Sequence, residues 1–157
     1  MREVLTAGRT TSMPAVLLYP NSDPGSRGII DVIRSEARPP QYRIFKSLER
    51  DFFLSLLSFA KVMVGNSSSG IIDAPYFGLP SVQVGERQAG RERASNVLDV
   101  PPERKKILAA IRRACFDVRF RRSAARARSP YGDGTASARI ARILVETTLG
   151  ADLVQKQ

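Results

Sequence analysis

Apolar and polar positions along this chain fall into short blocks whose period changes repeatedly. "AVLLYP" (15–20) is an unbroken apolar run closed by Pro20, which suits a buried strand better than a helix. "NSDPGSRG" supplies a turn with Ser26 as the candidate cap. "RGIIDVIRSEA" then sets Ile29, Ile30 and Ile33 at helical spacing until "RPP" ends the run. "YRIFKSL" has the composition of a strand, and "ERDFFLSLLSFA" places Phe52, Phe53, Leu56, Leu57 and Ala60 on one side of an amphipathic helix. "KVMVG" predicts a strand, "SSGIIDAPYFG" a short helix stopped by Gly78, and "LPSVQVG" and "SNVLDV" two further strands. Beyond them, Pro101 or Pro102 opens the helix "PERKKILAAIRRACFDV", "SPYGDG" turns the chain, and "GTASARIARILVETTL" closes it as a helix. Residues 1–14, with Gly8, Thr10, Thr11, Ser12 and Pro14, are expected to hold a helical turn followed by a loop.

Four or five short strands alternating with helices, without an internal repeat, predict an α/β fold: a Rossmann-like, mostly parallel sheet covered by helices on both faces. In such sheets ligands bind beyond the carboxyl ends of the strands, where loops lead into helices.

Composition narrows the function classes. At 157 residues and 43% hydrophobic, the chain is expected to form one domain over 1–157. It holds neither a long apolar run nor a basic-then-apolar leader, so a cytoplasmic protein is expected, without membrane attachment. With one cysteine and no histidine, neither a disulfide nor a metal site is expected, and Cys115 reads as buried packing. The charge of +10 is concentrated: residues 103–129 hold ten Lys and Arg against two acids. That stretch could follow a phosphate backbone, but it lacks interleaved aromatics for stacking and equally suits a solvated helix face or a partner surface.

The stretch "VMVGNSSSGII" carries the chemistry. A strand runs through Gly65 into Asn66, Ser67, Ser68, Ser69 and Gly70. Backbone N–H groups at the start of the following helix, with serine hydroxyls on short tethers, suit an anion, above all phosphate. Gly65 and Gly70 would let it approach the backbone without a Cβ in the way. A cap needs only one polar residue, and this loop offers four. Asp73 can cap the helix or accept from the paired hydroxyls of a sugar. "VGERQAGRERA" brings Glu86, Arg87, Gln88, Arg91 and Arg93 from the next strand end, where an arginine can reach the same phosphate with a forked pair of bonds. "YPNSDPGSRG" puts Asn21, Ser22 and Asp23 at the first strand's end, where a turn with an Asx cap is the plainer reading.

Three stretches together resemble the C-terminal half of the hydrolysing UDP-N-acetylglucosamine 2-epimerases of N-acetylmannosamine and sialic acid synthesis. They are "LLYPNSDPGSRGII", "FLSLLSFAKVMVGNSSSGIIDAPYFGLPSVQVGERQAGRERASNVLDV" and "SPYGDGTASARIARIL". The resemblance implies one of two Rossmann-like domains facing each other across a cleft, as in glycosyltransferases of the B type, with UDP held mainly by this half. It implies that Ser67 and Ser68 bind the diphosphate of UDP-N-acetylglucosamine, that Arg87 reaches the phosphates, and that Asn21 lies near the nucleotide-sugar. Gly65, Asn66 and Gly70 shape the loop, and no cofactor is implied. Asp73 stands where the family usually has a glutamate on the ribose hydroxyls, and a histidine that helps hold the phosphates has no counterpart here. The family's reaction eliminates UDP and then adds water, using carboxylates that come largely from the N-terminal domain. Here the catalytic residues are therefore unassigned, with Asp23, Asp73 and Glu86 the carboxylates at hand, and the chain is expected to be a fragment or split half, inactive alone. Its partners would be UDP or UDP-N-acetylglucosamine and a separate N-terminal domain or a second copy. The alternatives are a UDP-sugar binding module without catalysis and a basic nucleic-acid-binding domain on residues 103–129.

Overall fold

Helix α1 (Arg2–Thr11) joins two halves of the structure. Its Leu5 packs with Ile33, Ala37 and Tyr42 of the first half, while Ala7, two residues on, packs with Ile107, Ile111 and Cys115 of the second. The expected helical turn is thus a full helix. Glycine and threonines make it a poor helix by propensity, and these tertiary contacts hold it. The computed structural model describes residues 1–148 and Gly150.

The first half comprises β1 (Ala15–Leu18), α2 (Ser26–Glu36) and β2 (Tyr42–Phe45), with β1 and β2 parallel and Ala15 opposite Tyr42. Strand β2 covers only the first four residues of "YRIFKSL". The N-cap of α2 is Gly25 at φ 85°, a left-handed position that glycine adopts without strain; Ser26, expected as the cap, is the first helical residue.

After α3 (Arg50–Phe59) come β3 (Met63–Gly65), α4 (Ser69–Ile72), a 3-10 turn (Ala74–Phe77), β4 (Ser81–Val84) and β5 (Val97–Val100). The strands run in the order β3-β4-β5, all parallel, with Gly65 opposite Gln83 and Gln83 opposite Asp99. The expected parallel α/β architecture is present, with its ladder in two pieces of two and three strands. The short helix read over "SSGIIDAPYFG" is one α-turn followed by a 3-10 turn. Pro75 has no N–H to give and disfavours helical backbone at Ala74. Gly78 ends it at φ 58°.

Side chains of β4 alternate. Val82 and Val84 face α5 (Arg104–Phe116), which buries Ile107, Ile111, Ala110 and Ala114 against the sheet. Ile107 is 0% exposed, and burying such a side chain is worth about 1.5–3 kcal/mol. Ser81 and Gln83 face the other way, toward Gly70 of α4. On that side Leu57 of α3 packs with Ala74 and Leu79. Neither Pro101 nor Pro102 lies in α5, whose N-cap is Glu103. The single helix expected through Val118 breaks at Asp117, whose carboxylate accepts from the N–H groups of Arg119 and Phe120 and so starts α6 (Val118–Ala125). Cys115 is buried as read, and burial pushes its thiol up from the ordinary range. Helix α7 (Ala136–Glu146) buries none of its residues; Leu149, the last residue expected in it, lies outside the described residues. No helix among the described residues is long and apolar enough to cross a membrane.

Candidate functional site

Three loops meet at the carboxyl ends of the strands. Residues 19–25 follow β1, residues 66–68 follow β3, and residues 85–93 follow β4. The middle loop is fixed through its carbonyls. Asn66 O accepts from Arg87 Nη1 at 3.1 Å and from Gln88 Nε2 at 2.9 Å. Ser67 O accepts from Gln83 Nε2 at 3.1 Å and from the Gly70 N–H at 3.3 Å. Further along, Gly70 O and Leu79 O accept from Asn96 Nδ2 at 3.4 and 2.9 Å. Gln83, Gln88 and Asn96 are 2%, 4% and 0% exposed, and the amide oxygen of each is buried without a donor among the described residues. Gln83 and Gln88 face the loop with their donors, which sets which way its backbone points, while Asn96 holds the carbonyls of Gly70 and Leu79 behind it.

With its carbonyls turned inward, the loop leaves the N–H groups of Ser67 and Ser68 without an acceptor among the described residues. Ser67 Oγ accepts from the Ser69 N–H at 3.3 Å, whereas Ser68, the N-cap by position, makes no side-chain cap bond. Capping thus occupies one hydroxyl of the run. Helix α4 is only four residues long, so the expected helix dipole contributes little here, and the free donors of the loop among the described residues are the Ser67 and Ser68 N–H groups and the serine hydroxyls.

The two glycines differ. Gly65, at φ 152°, has nothing within 4 Å of where a Cβ would stand, so its position is open to an approaching group. A Cβ on Gly70 would lie 2.3 Å from both Gln83 Nε2 and Ser81 Oγ. Gly70 therefore makes room for β4, not for an anion, a correction to the sequence reading. It still shapes the loop by letting Gln83 reach Ser67.

Of the arginines after β4, Arg87 alone bonds to the serine loop. Its Nη2 also donates to Asp23 Oδ2 at 2.8 Å, tying the loops after β1 and β3 to the loop after β4. Arg93 is drawn away, with Nη2 on Gln88 O and Nε 2.8 Å from Asp99 Oδ2, while Arg91 and Glu86 are exposed. Asn21 is exposed two residues before Asp23. Asp73 is half-buried where α4 meets the 3-10 turn, beyond the first helical turn, and its carboxylate makes no hydrogen bond to a described residue. Gln83 and Asn96 were not singled out from the sequence, although a polar residue inside each apolar strand run, "LPSVQVG" and "SNVLDV", was the available signal. Arg119 and Arg122 of α6 lie elsewhere, lining a shallow depression with Arg126, Ser95 and Ser123.

The family model for UDP-N-acetylglucosamine 2-epimerase matches residues 1–145. The chain belongs to that family. It is 38% identical over 155 residues to the hydrolysing UDP-N,N'-diacetylbacillosamine 2-epimerase of Legionella pneumophila, an alignment covering 99% of this chain and 40% of the relative. The chain thus spans well under half the length of that family member. Among solved structures, the UDP-GlcNAc 2-epimerase of Neisseria meningitidis, bound to UDP-GlcNAc, superposes with a TM-score of 0.67 at 19% identity over 94% of this chain and 41% of its own. The UDP complex of S. aureus MnaA gives 0.70 at 22% identity over 90% and 39%. This chain therefore has the fold of the matched part of those structures, 41% and 39% of their lengths.

Proposed function

We propose that this chain is the nucleotide-holding part of a hydrolysing UDP-N-acetylglucosamine 2-epimerase. In this reading residues 1–157 form one domain that binds the UDP portion of UDP-N-acetylglucosamine in the cytoplasm. The observation that carries the reading is the position of Arg87: one guanidinium nitrogen is anchored on Asn66 O, next along the chain to the N–H groups of Ser67 and Ser68, which have no acceptor among the described residues. The diphosphate lies on those N–H groups and on the serine hydroxyls, with Arg87 neutralising it by charge-assisted bonds. Asp73 accepts from the ribose hydroxyls, and Asn21 borders the nucleotide-sugar. The family assignment supports this ligand, and the Neisseria and S. aureus neighbours were solved with UDP-GlcNAc and UDP.

Conversion to N-acetylmannosamine and UDP needs proton transfer at the sugar, by groups within hydrogen-bond reach of the proton moved. Asp23 is engaged by Arg87, Glu86 is exposed beside it, and Asp73 sits at the far end of α4. None forms an acid–base pair at a separate sugar side, so turnover requires carboxylates from another lobe, and this chain alone is inactive. The test is to mix the purified chain with the amino-terminal lobe of a full-length relative and measure UDP release from UDP-N-acetylglucosamine. Release by the mixture and by neither part supports the reading. UDP binding without release in any combination would leave a binding module. Arg87→Ala should weaken UDP by about 1.5–3 kcal/mol, the worth of a hydrogen bond to a charged group.

A further inference from the structure

We propose that Asp23 is a place-holder for phosphate, an internal anion that occupies Arg87 until a diphosphate displaces it. The inference rests on the reading of residues 66–68 and Arg87 as a phosphate site. Arg87 makes two different kinds of contact. Nη1 bonds at 3.1 Å to Asn66 O, a neutral backbone acceptor, whereas Nη2 bonds at 2.8 Å to Asp23 Oδ2, a carboxylate from the loop after β1, 64 residues away in sequence. Exchanging the carboxylate for a phosphate oxygen at Nη2 leaves the Nη1 anchor intact, so the guanidinium keeps its place while its anion changes.

Both members of the ion pair are open to solvent, with side-chain exposures of 46% for Arg87 and 56% for Asp23. A pair so placed is worth little and separates readily. Residues 21–25 are all exposed; Asp23 O accepts from the Ser26 N–H and Gly25 O from the Ile29 N–H, but the Asp23 carboxylate has no partner other than Arg87 among the described residues, so the side chain can turn away without breaking another bond. A diphosphate on Ser67 and Ser68 would stand beside the Asp23 carboxylate if that group stayed on Arg87, and like charges at such range oppose each other. The carboxylate therefore leaves as the ligand arrives. Asp23 thus lowers affinity for every anion at this position while keeping Arg87 aimed at the serine loop when no ligand is bound.

The test is calorimetric titration of the wild-type chain, Asp23→Asn and Asp23→Ala with UDP, inorganic pyrophosphate and uridine. Both variants should bind UDP and pyrophosphate about two- to five-fold more tightly than wild type, the range set by an exposed ion pair, and uridine unchanged. The carboxylate carbon of Asp23, followed by NMR in the wild type, should shift as pyrophosphate is added, and should not in Arg87→Ala. Equal or weaker binding of both anions by the two variants would overturn the place-holder and leave the phosphate site standing. Tighter pyrophosphate with no UDP binding in any form would keep the place-holder and remove the UDP assignment. No anion binding in any form would overturn both.

Discussion

Gln88, 4% exposed, donates from Nε2 to the carbonyl oxygen of Asn66 at 2.9 Å. Its neighbour Arg87 donates to the same oxygen from the solvent side, so one carbonyl anchors a buried amide and an exposed cation. Gln88→Met keeps the volume, loses the bond and leaves Asn66 O satisfied by Arg87, so it should cost about 0.5–1.5 kcal/mol of stability in urea unfolding. Gln88→Glu keeps the shape but turns a donor into a buried carboxylate facing a carbonyl. It should cost clearly more than Gln88→Met and weaken UDP binding, whereas equal effects would mean that the amide's donor is not what holds the loop.

Gly70 and Gly28 should respond in opposite ways to the same change. A methyl at Gly70 meets Gln83 Nε2 and Ser81 Oγ at 2.3 Å, both on buried side chains. Gly70→Ala should destabilise by about 1–3 kcal/mol and disturb the Gln83 bond to Ser67. At Gly28, inside α2, nothing lies within 4 Å of an added Cβ. There the alanine should stabilise by about 0.4–1 kcal/mol, because it restricts the unfolded chain without a clash. Thermal unfolding of the two variants beside wild type reads both signs.

Tyr42 sets an alkaline limit. Its hydroxyl donates to Leu5 O at 2.9 Å inside the core that joins α1 to β2. Burial pushes its pKa up, with the charge of Arg9 opposing more weakly. The folded state therefore holds this proton more tightly than the unfolded chain. The associated stability is complete below the unfolded tyrosine value of about 10 and declines as pH rises from there through the folded value. Tyr42→Phe should cost about 0.5–1.5 kcal/mol at neutral pH and make the decline above pH ~10 shallower. A wild-type decline that the phenylalanine variant reproduces in full would place the alkaline loss elsewhere.

The sequence disclosed the order of elements because each block has its own period: Val82 and Val84 alternate with Ser81 and Gln83, and Ile29, Ile30 and Ile33 recur at helical spacing. It also disclosed the serine loop, whose four polar residues exceed what capping uses. Other features depend on partners distant in the chain. Helix α1 stands on Leu5 and Ala7, whose contacts lie near residues 33–42 and 107–115, and its apolar stripe, set among three threonines and Gly8, does not by itself say how far the helix runs. Gly70 reads as room for a ligand until β4 is seen behind it. Gln83 and Asn96 read as ordinary alternation because alternation fixes a face and not what the side chain meets there. The pairing of Asp23 with Arg87 spans 64 residues, and no local pattern encodes it.

Calorimetric titration of the purified chain with UDP, beside ADP and uridine and at two salt concentrations, tests the central claim most directly. The account predicts saturable UDP binding, tighter than that of ADP through the base and tighter than that of uridine through the diphosphate, and weakened by Arg87→Ala and Ser68→Ala. A folded chain that binds none of the three at millimolar ligand, or binds all three alike, would contradict it.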